Sequence, residues 1–262
     1  MPNYKTLEIK NISEYIALID RIKISSEEVN NKADLIFRGQ GADRPLLPKL
    51  SRLTLNGPIK KIEELILKEF ERGILPLSEF QPTNDWDMLA LAQHHGLPTR
   101  LLDWTYSALV ALWFAVRKAP RKNEKTGLDN GVVWILNATT ADFRTDTDLI
   151  SPFSNNLTKI FRSRVVSRRI SAQSGIFTVH KINEEGKMIS LERNKDFSPK
   201  LTKAIINPKE FASIRKQLHT LGVNNASVFP DIDGYCAHLE WRYSKMSDEI
   251  EEKSFLNVTY NH

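Results

Sequence analysis

Arg38 closes the apolar run Ala33-Asp34-Leu35-Ile36-Phe37 and is followed by Gly39, Gln40 and Gly41. A guanidinium fixed at a strand end is a bidentate donor for a carboxylate or a diphosphate, and glycines beside it let the backbone turn sharply or approach a ligand closely. Further along, His94-His95-Gly96-Leu97-Pro98-Thr99-Arg100-Leu101-Leu102-Asp103-Trp104-Thr105 gathers imidazoles, a second guanidinium, a carboxylate and hydroxyls into one stretch. A third polar stretch in apolar surroundings, Arg169 to Thr178, contains Gln173.

These residue types admit several chemistries. Arg38 can pair with Asp103 and do no more than fix a strand to the loop that follows, because a partly buried guanidinium demands a carboxylate and acceptors around it. His95, next to Gly96, can face a cleft as general acid or base while His94 serves the helix end. With Arg38 and Arg100 on a phosphate and Asp103 orienting the imidazole, that set is a metal-independent ribonuclease. The same cluster can also bind a nucleotide or a partner segment without turnover. A metal site is disfavoured: adjacent helical histidines point about 100° apart, and no Cys, His or carboxylate stands at a helical i+4 ligand position.

The elements that must carry these residues follow from spacing. Tyr15, Ile16, Ile19 and Ile22 recur at helical intervals behind Ser13, which predicts a helix capped there and running through Arg21. Residues 33–38 read as a strand. Ile62, Leu65, Ile66 and Phe70 predict an amphipathic helix over 59–72 with Gly73 as its stop. Asp85 is the expected cap of a helix over 86–95, closed by Gly96 and Pro98, before residues 99–104 continue as loop and strand. A packed helix over 107–118, a strand over 131–136, strands at 176–180 and 204–206, and a helix opened by Pro208 and running to about Leu221 complete the pattern. Residues 123–130 read as an exposed polar link. Strands and helices mix without a βαβ rhythm, which predicts an α+β fold, and no repeat, Rossmann fingerprint or P-loop is present.

At 262 residues, with 41% hydrophobic and 26% charged content, the chain can bury a sizeable core, and one domain over 1–262 is expected. Its parts would be a signature core at about 30–120, a C-terminal sheet and helices at about 131–245, and an acidic tail at 246–262. The longest apolar stretch, Ala108 to Val116, is far shorter than the roughly 20 residues needed to cross a bilayer. One cysteine, Cys236, allows no internal disulfide, and the N-terminal residues lack a signal-peptide core, so a cytoplasmic protein is expected. Net charge of +5 mildly favours phosphate-rich partners. Lys159, Arg162, Arg164, Arg168 and Arg169 form a run without an acidic residue, a candidate surface for an RNA or protein acceptor, whereas Asp248, Glu249, Glu251 and Glu252 cluster near the C-terminus.

The Phe37-Arg38-Gly39 motif and the stretch Ala92-Gln93-His94-His95-Gly96-Leu97-Pro98-Thr99-Arg100-Leu101-Leu102-Asp103-Trp104-Thr105 resemble the FRG-domain family. The resemblance extends through Ala108 to Ala115 and, more weakly, through residues 172–177 and 229–234. A more distant similarity is to ADP-ribosyltransferases, which present an aromatic-Arg-Gly on their first strand and a hydroxyl-bearing strand leading into a helix with an Ala-x-x-Phe-Ala pattern. Phe37-Arg38-Gly39 is similar to the first, and Asp103-Trp104-Thr105 with Ala111-Leu112-Trp113-Phe114-Ala115 to the second.

That similarity implies a single compact domain with a mixed, mainly antiparallel split sheet flanked by helices. It implies NAD as substrate, no metal, and a cofactor-contacting set of Phe37, Arg38, Gly39, Gln40 and Thr105. The resemblance gives Arg38 the cofactor's phosphate or ribose and Thr105 the nicotinamide ribose; the residues themselves, not the resemblance, add His95, Asp103 and Gln173 to Arg38 as the candidate catalytic set. Gln173 stands where the family places a glutamate, so Asp103, or Glu240, would have to supply negative charge. A cytosolic enzyme that irreversibly modifies RNA or an essential protein implies a toxin or phage-defence effector restrained by an antitoxin-like partner.

Overall fold

A computed structural model describes residues 3–28, 33–77, 82–125, 127–145, 150–154, 157–163 and 172–250. The strands are β1 (Lys5–Ile9), β2 (Ala33–Gln40), β3 (Leu101–Thr105), β4 (Lys122–Asn123), β5 (Gly127–Leu128), β6 (Gly131–Thr139), β7 (Lys159–Phe161), β8 (Gly175–Val179) and β9 (Leu201–Ile206). The main helices are α1 (Ile12–Glu28), α2 (Ile59–Ile74), α3 (Asp85–His94), α4 (Ala108–Val116), α5 (Phe211–Thr220) and α6 (Ile232–Tyr243). Seven strands form one sheet in the order β1-β9-β6-β2-β3-β8-β7, while β4 and β5 make a separate small hairpin within the expected polar link. Only the edge pair β1 and β9 is parallel among the described strands, so this is an α+β fold with a mixed sheet flanked by helices.

The sheet is continuous rather than split, yet its middle seam is thin. β2 and β6 pair along eight residues, whereas β2 and β3 pair only through Phe37 and Thr105. Beyond that pair the strands diverge. Because side chains alternate across a strand, Phe37, Thr105, Asp103 and Leu101 share one face with Phe177 and Val179. On that face α1, α4 and α5 cover one half of the sheet, packing on Phe37, Val133, Ile135, Ala204 and Ile206. Helices α2 and α3 cover the other half over Leu101, Phe177 and Val179. The opposite face buries Ile36, Leu102, Trp104, Trp134 and Ile176 beneath Leu46, Leu191 and Phe197 from loops. The diverging strands therefore lie below the boundary between two helical layers.

Several local expectations shift by a residue or a turn. Asn11, not Ser13, caps α1: its Oδ1 accepts from Glu14 N at 2.9 Å while the Glu14 carboxylate accepts from Lys10 N at 2.9 Å, and the helix runs on to Glu28. Asn84 rather than Asp85 caps α3, accepting from Asp87 N at 2.9 Å. Gly73 does not stop α2, which continues to Ile74. The residues read as an acidic tail divide. Asp248 and Glu249 hold the buried Arg215 at 2.8 and 2.6 Å, and Glu251 and Glu252 lie outside the described residues.

Gly39 is required by packing. A Cβ built on it would stand 1.8 Å from the main-chain oxygen of Ala111, so α4 lies directly against the backbone of β2. Gly39→Ala must push the helix off the strand. It is expected to cost about 1–3 kcal/mol, read as a lower urea midpoint; an unchanged midpoint would contradict this reading of the glycine.

Candidate functional site

A cavity of about 380 Å³ opens where β2 and β3 separate. Arg38 reaches across the gap: its Nη1 donates to the main-chain oxygen of Asp103 at 2.6 Å and lies 3.8 Å from that carboxylate. A side chain thus bridges the strands where a backbone ladder would have continued. This is the guanidinium's one hydrogen bond among the described residues, and its buried Nε–H has no partner. Burial pushes the Arg38 pKa below the ordinary arginine value, Asp103 pulls it back up, and the charge of Arg52 adds to the depression. Arginine starts so high that the group stays cationic, in a setting that lacks enough negative charge to match it.

Asp103 is itself positioned. Gln93 Nε2 donates to both of its carboxylate oxygens, at 3.1 and 3.0 Å. The Gln93 Oε1 accepts from Thr99 Oγ1 at 2.6 Å, and the Thr99 hydroxyl accepts from Leu101 N at 3.1 Å. The relay fixes the amide orientation and aims the carboxylate, whose side chain remains 58% exposed. Asp103 is the only carboxylate among the described lining residues, against the cations Arg38, Lys49 and Arg52. Lys49 is tied to the far wall, donating to the Gly96 carbonyl at 2.8 Å.

Thr105 lines the cavity, but its hydroxyl is committed. It donates to the Gln173 carbonyl at 2.5 Å and accepts from Ser107 N at 2.9 Å, coupling β3 to the segment before β8 and to the start of α4. Gln173 also lines the cavity, with Nε2 donating to Val228 O at 3.3 Å. The next residue, Ser174, holds φ at 47°, a left-handed conformation that non-glycine residues rarely adopt. Thr105 therefore acts by placing Gln173 rather than by offering a free hydroxyl.

Other expectations change. Of the histidine pair, His94 lines the cavity; His95 is the exposed C-terminal cap of α3, outside it. Gln40 lines an adjoining basin instead, and its Oε1 is buried without a partner. Arg100 is withdrawn from any ligand. It is buried with Glu63, whose carboxylate accepts from Nε at 2.9 and 3.1 Å, from Nη2 at 2.5 Å and from Arg100 N at 3.0 Å, while Nη1 donates to Pro152 O at 2.7 Å. Glu240 is exposed on α6 and does not line the cavity. Arg162 is occupied by Asp34 at 2.7 Å, by the Tyr106 hydroxyl at 3.0 Å and by the Phe143 ring. Arg164, Arg168 and Arg169 lie outside the described residues.

Missed from the sequence were Lys49 and Arg52, which reach the cavity from a loop after β2, and the relay role of Gln93. Behind the cavity wall, Trp104 Nε1 donates to Thr178 Oγ1 at 3.1 Å, which contacts His180 Nε2 at 3.2 Å. Burial depresses the His180 imidazole to about 4, the backbone of Ile189 opposes the shift, and the charge of Arg38 adds to it. That histidine is neutral near pH 7 and is a packing element.

Among the described residues no cluster of three or more His, Cys, Asp or Glu is arranged to hold a metal, and no helix is long and apolar enough to cross a membrane. No curated protein and no solved structure matches the chain. Residues 33–124 match the family model of the FRG domain, a span that contains Arg38, Lys49, Arg52, Gln93, Asp103 and Thr105 but not Gln173. The match covers about a third of the chain, and that segment, similar to the FRG domain, contributes every charged residue lining the cavity among those described.

Proposed function

We propose that the cavity binds NAD and that the protein transfers ADP-ribose from it to a cellular acceptor. The observation that carries this reading is Arg38: a fixed, under-satisfied guanidinium at the opening between β2 and β3, across from a single positioned carboxylate. Arg38 and Arg52 would bind the diphosphate, for which a guanidinium fork is suited. The volume of about 380 Å³ falls within the range of small-molecule pockets, roughly 300–1,000 Å³, and Phe114, Leu97 and Phe177 provide apolar walls for flat rings.

In the reaction the bond between the ribose C1′ and the nicotinamide nitrogen breaks, and its electron pair leaves with nicotinamide as a neutral ring. The ribose becomes cationic. Asp103, held by Gln93, supplies the compensating negative field. An acceptor nucleophile then bonds to C1′ and releases its proton to the exposed Asp103 carboxylate or to water. Gln173 stands at the rim as a neutral hydrogen-bonding group for a ribose hydroxyl. The ribonuclease alternative loses parts, since Arg100 is spent on Glu63 and His95 is not among the residues lining the cavity. An irreversible modifier of this kind requires restraint, so a toxin or defence effector with an inhibitory partner is the context proposed.

Purified protein incubated with NAD and a cell extract as acceptor source should release nicotinamide, quantified by chromatography. NAD that binds but stays intact would identify a non-catalytic nucleotide module, and RNA shortened without NAD would restore the nuclease.

A further inference from the structure

A second concavity, of about 260 Å³, adjoins the first and shares Arg38, Gly39, Arg52 and Phe114 with it. Two chain segments meet there. The turn after β2 brings Arg44, and the segment leaving α4 brings Arg117, Lys118 and Arg121. Among the described residues six cations line the basin and no carboxylate does. Asp43, the acidic neighbour of Arg44, is engaged by Lys203. Arg44, Arg52, Lys118 and Arg121 make no ion pair with a described residue, and all four are exposed. Arg117 is held rigidly over Trp113, Phe114 and Phe229, 5.4–5.7 Å from each ring centroid.

Like charges gathered in a concave, low-dielectric surface repel one another and focus a positive potential outward, a cost offset when an anion binds. The composition narrows the anion. Arginine outnumbers lysine five to one in this basin, and guanidinium forks match phosphate geometry. Arg44, Arg52, Lys118 and Arg121 are more unpaired charge than one phosphate can match, so several phosphates in a row are called for. We propose that the basin binds the phosphodiester backbone of a single-stranded nucleic acid and delivers it as the acceptor to the Arg38 cavity. Strand binding stands on the basin alone; the acceptor role rests on the NAD reading above. Of the 159–169 run, Arg162 is paired with Asp34, and Arg164, Arg168 and Arg169 lie outside the described residues.

The test uses the full chain without NAD and labelled single-stranded RNA and DNA of one sequence, with fluorescence anisotropy across a salt series. The variant R44Q/K118Q/R121Q is compared with K60Q/K61Q/K68Q, which removes equal charge from exposed positions on α2. The basin variant should lower the slope of log affinity against log salt by about 2, since each lost contact with a single strand is worth roughly 0.7. It should weaken binding at least tenfold with an unchanged melting temperature, while the α2 variant changes the slope by less than half as much. Binding of RNA alone, or of both strands, supports the proposal. Binding of neither, equal losses in the two variants, or displacement of the strand by polyglutamate at equal charge concentration would overturn it. Loss of strand binding in the basin variant, in a protein that releases no nicotinamide, would leave the basin standing and remove the NAD reading.

Discussion

Replacing Arg38 by alanine should reduce kcat/KM for nicotinamide release by between roughly 30-fold and several-thousand-fold, the equivalent of the 2–5 kcal/mol typical when one partner of a hydrogen-bonded charge pair is removed. The loss should fall on activity rather than on the fold. Among the described residues Arg38 makes one hydrogen bond, and its carboxylate neighbour is 58% exposed, so water can replace it. Arg38→Lys retains the charge but loses the fork, and should recover part of the binding without restoring wild-type turnover. A melting temperature that collapses in both variants would instead mark Arg38 as the structural tie between β2 and β3.

Glu63→Ala should produce the opposite pattern, a large loss of stability with the cavity residues untouched. The carboxylate is fully buried and accepts from the Arg100 side chain and from its backbone N–H. Removing it strands a buried guanidinium and an amide together, a change that costs about 3–5 kcal/mol and lowers the melting temperature by roughly 6–20 °C for a chain of this size. Arg100→Met in the same background removes the unpaired charge and should recover a measurable part of the loss. Thermal and urea unfolding check both; a single-variant loss under about 1 kcal/mol, in the range of surface pairs, would mean that the pair is not buried in solution.

The motif residues announced the site because their types are costly to bury without a reason. Arg38, the pair Asp103 and Thr105, and Gln173 come from three separate stretches and do meet around one cavity. What the sequence left open is geometry at single-residue resolution. His94 and His95 differ by one step on a helix, and only the end of α3 decides which of them faces inward. Gln93 carries no sign in its residue type that its amide will aim Asp103. Lys49 and Arg52 arrive from a loop, and Glu63 sits among the other glutamates of α2, so their burial or approach depends on tertiary packing alone. Gly39 suggested ligand approach, and a helix backbone occupies the space instead.

Seam and charge coincide in this fold: β2 and β3 are joined by one residue pair, and beside that pair stands an arginine short of acceptors. The most direct measurement is calorimetric titration of NAD into the wild-type chain and into Arg38→Ala. The account predicts one saturable site in the wild type and an affinity at least 30-fold weaker in the variant. Equal binding by the two proteins, or no binding by the wild type, would contradict it.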